Sequence, residues 1–425
     1  MSLTILVITF IALMVLGMPI AIAMLASSLL YALFNGMELG FLALQMYASL
    51  NNFVILAIPF FLLASEIMDR TSVATRMFKF ASSIFGSIPG GLGHVNVVTN
   101  MIFAGMSGSA VADAGGIGRL NYRAMIDNGY NRAFSMSLTA AAAVIGPIIP
   151  PSIPMVVYAM VANESVAKLF FGGIVPGVLL GVFLMCYVYW ISRKRGYGAS
   201  MHFSFSGMVQ ASKEAFLPLM TPLMLLGGIY FGIVTVTEAS ILTVTYACVL
   251  GIFLYHLLTL RQFFDSLRNV FKICGPIFIM FPAAKVFGLI LITESVPAHL
   301  LEFVHNFAND PLFIIIFVNI VFLILGCFSD PLVNIMLFVP IFMPLISSSG
   351  LNPIHFGVMV VLNTMIGLIT PPVGALLFIV SSFDNIRFSD LIKEIWPFVI
   401  IECIVLLIII LVPQTVIFIP NMLFK

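Results

Sequence analysis

Two Pro-Pro pairs interrupt strongly apolar stretches of this chain, and they stand in matching surroundings. The first lies in Gly146-Pro-Ile-Ile-Pro-Pro-Ser152 and the second in Gly367-Leu-Ile-Thr-Pro-Pro-Val373, so the second segment begins 221 positions after the first. Each proline removes a backbone donor and clashes with the preceding helical turn. The pattern therefore predicts two broken helices in equivalent places of a duplicated chain.

A second pair of interruptions has the same offset of 221 positions. Ser107-Gly-Ser109 corresponds to Phe328-Ser-Asp330, and each lies 41 positions before a Pro-Pro pair when counted from Ser109 to Pro150 and from Asp330 to Pro371. Irregular backbone at membrane depth is tolerated only where protein buries it or where it lines a cavity. Matching interruptions in two halves indicate the binding site of a secondary transporter.

Composition places the chain in a bilayer. The sequence is 61% hydrophobic and only 8% charged, whereas soluble domains carry about 25% charged residues. We expect an all-α multi-spanning membrane protein. The net charge of +1 and the lack of a basic stretch predict no nucleic-acid partner. Single, scattered cysteines and the absence of H-E-x-x-H and G-x-x-x-x-G-K-[ST] predict no disulfide framework, no resident metal, no other cofactor and no ATP site.

Runs of about 20 apolar residues predict ten spans. They are Leu3–Phe34 divided into two at Gly17-Met-Pro19, Asn52–Met68, Ala133–Met160, Ala167–Ile191, Ala215–Phe231, Glu238–Leu258, Gly275–Ile292, His355–Ser382 and Ile395–Ile419. Two further stretches, 90–126 and 311–347, are broken near the middle and are predicted to be re-entrant hairpins.

Charge bias orients this set, because Lys and Arg concentrate in cytoplasmic loops. The connections 35–51, 232–237, 293–310 and 348–354 contain neither residue, so we place them outside. The first hairpin then opens to the cytoplasm and the second to the outside. This arrangement predicts two inverted repeats, each of about five spans plus a hairpin, with both termini periplasmic. The predicted boundaries are 1–195 for the first repeat, 196–213 for a cytoplasmic linker and 214–425 for the second repeat.

The predicted hairpin apices offer oxygen ligands. Glycine permits a tight reversal at Gly108, and exposed carbonyls with the hydroxyls of Ser107 and Ser109 suit Na⁺. The alternative is close packing of small residues between helices. In the unwound stretch that begins at Gly146, four prolines within nine residues favour free carbonyls over a simple kink.

Ionisable residues inside membrane segments are functional candidates. Asp330 lies at the second apex and could be an ion ligand or a helix cap, and Asp113 could cap the returning arm of the first hairpin. Ser109, Asp330 and Lys285 are candidates for substrate binding, although Lys285 could instead snorkel or join an internal ion pair. Glu66 and Glu238 lie near span ends, where a capping or solvated role is at least as plausible.

One motif suggests an enzymatic alternative. Gly105-Met-Ser-Gly-Ser109 is close to the G-x-S-x-[GA] motif of intramembrane serine proteases, but its last position differs. No later span places a histidine convincingly opposite the serine, as nucleophilic catalysis requires. We therefore predict that the chain is not an enzyme.

Several motifs together resemble one family over essentially the whole chain, the large membrane subunit of TRAP (tripartite ATP-independent periplasmic) transporters. They are Ala57-Ile-Pro-Phe-Phe-Leu-Leu-Ala-Ser-Glu66, Pro89-Gly-Gly-Leu-Gly93, Ser107-Gly-Ser-Ala-Val-Ala-Asp113, Gly146-Pro-Ile-Ile-Pro-Pro-Ser-Ile-Pro154, Thr237-Glu-Ala239 and Gly367-Leu-Ile-Thr-Pro-Pro-Val-Gly374. Ala114–Asn121 departs from the family pattern in its glycines and in Arg119.

This resemblance implies an elevator-type transporter of the bacterial inner membrane. It further implies Na⁺ symport, uptake of a small organic acid from a periplasmic binding protein, and a small four-span partner subunit. Because the chain begins directly at its first span, we expect that partner to be a separate polypeptide. The alternatives are a stand-alone sodium–carboxylate symporter of the divalent-anion type and, third, a structural or channel role.

By the same resemblance, sodium contacts fall on the two apices and the two broken helices. The residues are Ser107, Gly108, Ser109, Gly146, Pro147, Pro150, Ser152, Ser329, Asp330, Gly367, Thr370 and Gly374.

Overall fold

Helices and turns make up the part of the chain that the structure, a computed structural model, describes: residues 2–199, 204–307 and 310–424. Parts of the predicted linker 196–213 and of the connection 293–310 lie outside this description. The helices are α1 (Ser2–Val15), α2 (Ile20–Phe34), α3 (Leu39–Leu50), α4 (Ala57–Arg70), α5 (Val73–Phe85), α6 (Gly91–Ser107), α7 (Ala110–Gly115), α8 (Ile117–Asp127), α9 (Arg132–Ala143), α10 (Ile153–Ala162), α11 (Val166–Arg195), α12 (Phe205–Tyr230), α13 (Val236–Val249), α14 (Leu260–Thr293), α15 (Val296–Phe307), α16 (Pro311–Gly326), α17 (Pro331–Ser348), α18 (Pro353–Gly367), α19 (Ala375–Ser381), α20 (Phe388–Leu411) and α21 (Gln414–Leu423).

Length and composition identify the membrane-crossing helices among the described residues. Five helices are each long and apolar enough to span a bilayer: α11, α13 with its π-helical end, α14, α17 and α20. The pair α3 and α4, bent by 54°, makes a sixth when it is counted as one span. Six shorter apolar helices accompany them. The multi-spanning, all-helical class is therefore confirmed, and the count of ten spans stays a prediction.

Several predicted boundaries need correction. The connection 35–51 contains the helix α3, so it is not a plain loop. The span predicted at Gly275–Ile292 is part of the longer α14, which starts after a capping box made by Thr259 and Gln262. The helix therefore begins about four turns earlier than predicted and includes Arg261, Arg268 and Lys272. The span predicted at Ile395–Ile419 is two helices, because Pro413 precedes α21 and cannot continue α20.

Both predicted hairpins break where the sequence analysis expects. α6 ends at Gly108, whose φ of +62° belongs to the left-handed region that favours glycine. α16 ends at Gly326, and α17 begins after Asp330. The returning arm of the first hairpin is itself divided at Gly116 into α7 and α8. This second break lies in the glycine-rich segment that departs from the family pattern.

Both Pro-Pro segments are unwound. α9 and α10 are separated by residues 144–152, and α18 and α19 by residues 368–374. The peptide bonds Pro150-Pro151 and Pro371-Pro372 are both cis. The prediction of two broken helices is therefore confirmed.

The helices following the breaks cross over to the other half of the chain. α10 packs against α17 of the second hairpin, and α19 packs against α7 of the first hairpin. α9 contacts α19 and α20, and α18 contacts α10, α16 and α17. A second group of helices has α13 and α14 at its centre. α2, α3 and α4 pack against α14, and α4 and α12 pack against α13. α14 also contacts α17. The hairpins and unwound segments thus meet in one region of the fold.

Candidate functional site

The first hairpin apex contacts the first unwound segment directly. The amide of Ile153 donates a hydrogen bond to the carbonyl of Gly108 at 3.4 Å. A Cβ added to Gly108 would lie 2.5 Å from the carbonyl oxygen of Pro151, closer than real Cβ atoms approach. Gly108 is therefore required twice, by its positive φ and by this backbone contact. In this half of the chain the apex and the break lie together.

Asp113 lies against the same unwound segment. Its side chain is fully buried, and neither carboxylate oxygen has a hydrogen-bond partner among the described residues. Gly146 packs so closely on this carboxylate that an added Cβ would overlap Oδ2. The cap of α7 is Ser109, whose hydroxyl accepts from the amide of Ala112 at 3.4 Å. The alternative in which Asp113 caps the arm is therefore wrong.

Two polar side chains lie near the Asp113 carboxylate, the hydroxyl of Ser107 and the carboxylate of Asp69. Ser107 is fully buried, and its hydroxyl makes no hydrogen bond of good geometry among the described residues. A buried, unpaired carboxylate costs several kcal/mol, by the order of magnitude known for buried ions. The arrangement is that of a buried, oxygen-rich cluster that a cation would stabilise.

The unwound segment supplies further oxygen atoms. The Ser152 hydroxyl donates to the carbonyl of Pro147 and accepts from the amide of Met155 at 3.2 Å, which fixes the start of α10. Within the described residues, no donor is bonded to the carbonyls of Gly146 or Pro151. Pro147, Pro150 and Pro151 lack an amide hydrogen, so their backbones cannot donate hydrogen bonds to these carbonyls. Carbonyls freed in this way are the groups that coordinate Na⁺ in transporters.

The second apex has a different chemistry. Asp330 is an N-cap, because its Oδ1 accepts from the amide of Leu332 at 2.8 Å, and its side chain is exposed. The hydroxyl of Ser329 contacts Oδ1 of Asn334 and the carbonyl of Leu325. Asn334 corresponds to Asp113 at the offset of 221 positions, so the equivalent position here carries a neutral amide. Of the two interpretations of Asp330, the structure shows the cap.

The second apex and the second unwound segment also touch. Gly326 and Gly367 contact through their backbones, and a Cβ on Gly367 would overlap Gly326. The hydroxyl of Thr370 donates to the carbonyl of Ile366 at 2.7 Å. Gly374, with a φ of +55°, precedes α19. Ser329, Gly367, Thr370 and Gly374 thus lie along the second hairpin and break, as Gly108 and Gly146 do in the first half.

Lys285 lies on α14, apart from both apices. Its side chain is exposed, whereas its neighbours along the helix, 281–284 and 286–288, are buried. The position of a Cβ on Gly288, one turn away, is open. No ion pair within the described residues includes Lys285, so the internal ion pair considered for it is not seen. Lys285 is thus an exposed cation in an otherwise buried stretch of α14, and it could attract an anionic ligand.

The two other ionisable candidates have structural roles. Glu66 pairs with Arg70 at 2.9 Å and accepts from Asn269 at 3.0 Å, which joins α4 to α14. Glu238 forms a capping box with Thr235. The capping role considered for Glu238 is therefore confirmed. The described residues contain no cluster of three or more His, Cys, Asp or Glu side chains that could hold a metal.

Sequence reasoning missed an amide network that holds the first hairpin together. The Asn96 side chain donates to Thr139 at 2.8 Å, and the Asn121 side chain donates to Thr99 at 2.8 Å and to Asn96 at 3.1 Å. These buried bonds join α6, α8 and α9. The signal was present, because buried polar side chains need partners and all four residues lie in apolar segments. They hold α6, the helix that carries Ser107, against α8 and α9.

The chain matches the family model described as "Tripartite ATP-independent periplasmic transporter, DctM component" over residues 7–415. It is 38% identical over 407 residues to the sialic acid TRAP transporter large permease protein SiaM of Vibrio cholerae, covering 96% of this chain and 95% of that one. It is 34% identical over 397 residues to the C4-dicarboxylate TRAP transporter large permease protein DctM of Pseudomonas aeruginosa, covering 93% of each chain.

A solved structure shares the fold. The YdaH transporter of Alcanivorax borkumensis superposes with a TM-score of 0.63 at 11% sequence identity, over 88% of this chain and 87% of that one. The relatives are transport proteins rather than enzymes. Taken with the apolar helices of the structure, these likenesses establish that the chain is a multi-pass membrane protein and belongs to the DctM family of TRAP transporter large permeases.

Proposed function

We propose that this permease imports a small organic acid by Na⁺ symport. The substrate would be a dicarboxylate, sugar acid or keto acid, handed over by a periplasmic binding protein. A small four-span membrane subunit would complete the transporter in the bacterial inner membrane. The two relatives described above are named for sialic acid and for C4-dicarboxylates, and both of these substrates carry a carboxylate.

The observation that carries the coupling proposal is the environment of Asp113. Its carboxylate is buried beside an unpartnered hydroxyl and a segment in which, among the described residues, the carbonyls of Gly146 and Pro151 accept no hydrogen bond. Half-helix ends and unwound carbonyls are where transporters hold Na⁺. We assign the coupling cation to Asp113, Ser107 and the carbonyls of the Gly146 segment. This adds Asp113 to the sodium contacts expected from the sequence.

The spacing of helix boundaries supports an inverted repeat at 1–195 and 214–425. α17 begins 221 positions after α7 and ends 221 positions after α8, and α18 begins 221 positions after α9. α14 begins 221 positions after α3, so the bent pair α3–α4 corresponds to one uninterrupted helix. We propose that the hairpins and broken helices move together as an elevator against the helices packed around α14. Both termini would then be periplasmic.

Uptake into proteoliposomes tests the proposal. Wild-type permease, reconstituted with its small subunit and binding protein, should accumulate substrate only with an inward Na⁺ gradient. Asp113→Asn should lose this Na⁺ dependence, because an amide keeps the shape but removes the charge. Asp127→Asn, at the exposed end of α8 in the same hairpin, is the matched control and should behave as wild type.

Two results would overturn this account. Equal uptake driven by a proton gradient without Na⁺ would remove sodium as the coupling ion. Unchanged Na⁺ dependence in Asp113→Asn would remove Asp113 from the site. Uptake that proceeds without the binding protein would instead favour the stand-alone symporter.

A further inference from the structure

A glutamate that the transport proposal does not use lies in the middle of α20. The Glu402 side chain is fully buried, and neither oxygen of its carboxyl group has a hydrogen-bond partner among the described residues. No ion pair within that part of the chain includes it. Because α20 packs against α9, α11 and α18, Glu402 lies within the group of helices that carries the broken segments.

The surroundings of Glu402 along α20 are apolar. Residues three and four positions apart share one face of a helix. The four residues that share this face, one turn to either side of Glu402, are buried: Phe398, Val399, Val405 and Leu406. α20 continues through this stretch as far as Leu411, so the carbonyls around Glu402 are used in helical hydrogen bonds.

The fixed charges on the packed helices do not neutralise Glu402. Arg132 of α9 pairs with Asp384 at 3.2 Å. Arg195 of α11 pairs at 2.9 Å with Glu394, which is eight residues from Glu402, or about 12 Å along the helix. The other titratable side chains of α11 are Lys168 in its first turn and Cys186, Tyr187, Tyr189, Arg193 and Lys194 in its last three turns. Within their bounds α16 and α19 carry none.

Three further titratable side chains lie nearer to this stretch of α20. Cys403 follows Glu402, and the Cys327 thiol at the end of α16 lies near the Cys403 thiol. His355 of α18 makes a hydrogen bond of 2.9 Å with the carbonyl of Ile409, which is seven residues from Glu402, or about 10 Å along the helix. None of the three forms a hydrogen bond or ion pair with Glu402 in the described part of the chain.

The contrast with Asp113 indicates which cation Glu402 can hold. Asp113 lies beside a hydroxyl and an unwound segment with free carbonyls, which are ligands that replace the hydration shell of Na⁺. Glu402 has neither, so a metal ion at this position would lose its water without replacement. An isolated ionised carboxylate in apolar surroundings is so costly that the group neutralises instead. A proton neutralises a carboxylate and needs no further ligand.

We propose that Glu402 binds a resident proton, and that α20 packs against α9, α11 and α18 with this side chain as the neutral acid. The proton stays bound during transport, because the side chain that holds it is fully buried. It therefore belongs to the fold and is not a coupling ion. This proposal does not depend on the sodium site at Asp113.

A resident proton makes stability depend on pH. In the unfolded chain a glutamate ionises with a pKa of about 4.3, so unfolding near neutral pH releases the proton. The stabilisation from the protonated form is fully present below that pKa and declines as the pH rises, by about tenfold in the unfolding equilibrium per pH unit. Glutamine keeps the shape of the neutral acid and releases no proton.

Reversible unfolding of the full-length permease in mixed detergent micelles, from about pH 6 to about pH 8, tests this. The stability of wild type relative to Glu402→Gln should fall by about tenfold in the unfolding equilibrium per pH unit. Glu302→Gln, which changes an exposed glutamate of α15, should follow wild type at every pH. A difference between wild type and Glu402→Gln that does not vary with pH would overturn the proposal, since Glu402 would then be ionised in the folded protein.

Infrared spectroscopy of the folded wild type gives a readout that needs no substitution. The carbonyl stretching band of a protonated carboxylic acid should be present at neutral pH, and it should shift when the protein contains glutamate that is isotope-labelled at the side-chain carboxyl. Absence of this band would overturn the proposal. A band that glutamate labelling does not shift would also overturn it, because the proton would then belong to an aspartic acid. Loss of Na⁺-dependent uptake in a folded Glu402→Gln would contradict the resident role.

Discussion

The substitution Gly108→Ala tests whether the first apex must touch the first unwound segment. Alanine at the φ of +62° costs about 1–2 kcal/mol relative to right-handed backbone. Its Cβ would also lie 2.5 Å from the carbonyl oxygen of Pro151, whereas ordinary contact begins at 3.4 Å. The apex and the break must separate by about 1 Å, and overpacking of this kind costs about 1–3 kcal/mol.

Gly129 allows the cost of the collision to be measured separately from the cost of the backbone strain. Gly129 also has a positive φ, +82°, but nothing lies within 4 Å of an added Cβ. Gly129→Ala therefore carries the backbone strain without the collision. The excess of about 1–3 kcal/mol in Gly108→Ala corresponds to roughly a 5–150-fold change in an equilibrium constant.

The assay is the Na⁺ concentration that gives half-maximal uptake in proteoliposomes. We expect Gly108→Ala to raise this concentration by at least about fivefold, by the conversion above. Gly129→Ala should remain close to wild type. Size-exclusion profiles of both variants check that each is folded. Equal Na⁺ dependence of two folded variants would refute the argument that the apex and the break form one ion site.

Three further substitutions test other parts of the account. Lys285→Met should raise the KM for the acid with little change in the Na⁺ requirement. Lys272→Met, which removes an exposed lysine of the same helix, should leave the KM unchanged. Equal KM values in the two variants would exclude Lys285 from substrate binding. Ser152→Ala should lower thermal stability by about 1 kcal/mol through loss of the cap of α10, and an unchanged melting temperature would contradict this. Gly367→Ala should reduce uptake because the added Cβ would overlap Gly326 of the second hairpin. Gly350→Ala should be tolerated, since Gly350 has open space around it at a φ of +68°. Equal uptake by the two variants would show that the contact between Gly326 and Gly367 is dispensable.

The interruptions were predictable because their causes are local. Four prolines between Gly146 and Pro154, and a glycine at position 108, break a helix whatever surrounds them. The position of the first split, before Pro19, follows from the same rule.

The partners of Asp113 were not predictable from sequence. Asp113 and Gly146 are 33 positions apart, and only the packing of α7 against α9 brings them together. The end of α20 at Leu411 was missed because the apolar pattern continues through Pro413. The role of Asp330 stayed open because an aspartate before a helix serves equally as a cap and as an ion ligand.

Direct binding of radioactive sodium to the purified permease tests the central claim, that a buried carboxylate beside an unwound helix holds the coupling cation. The account predicts saturable binding to wild type and to Asp127→Asn, and loss of a binding site in Asp113→Asn. Full, saturable binding by a folded Asp113→Asn would contradict it.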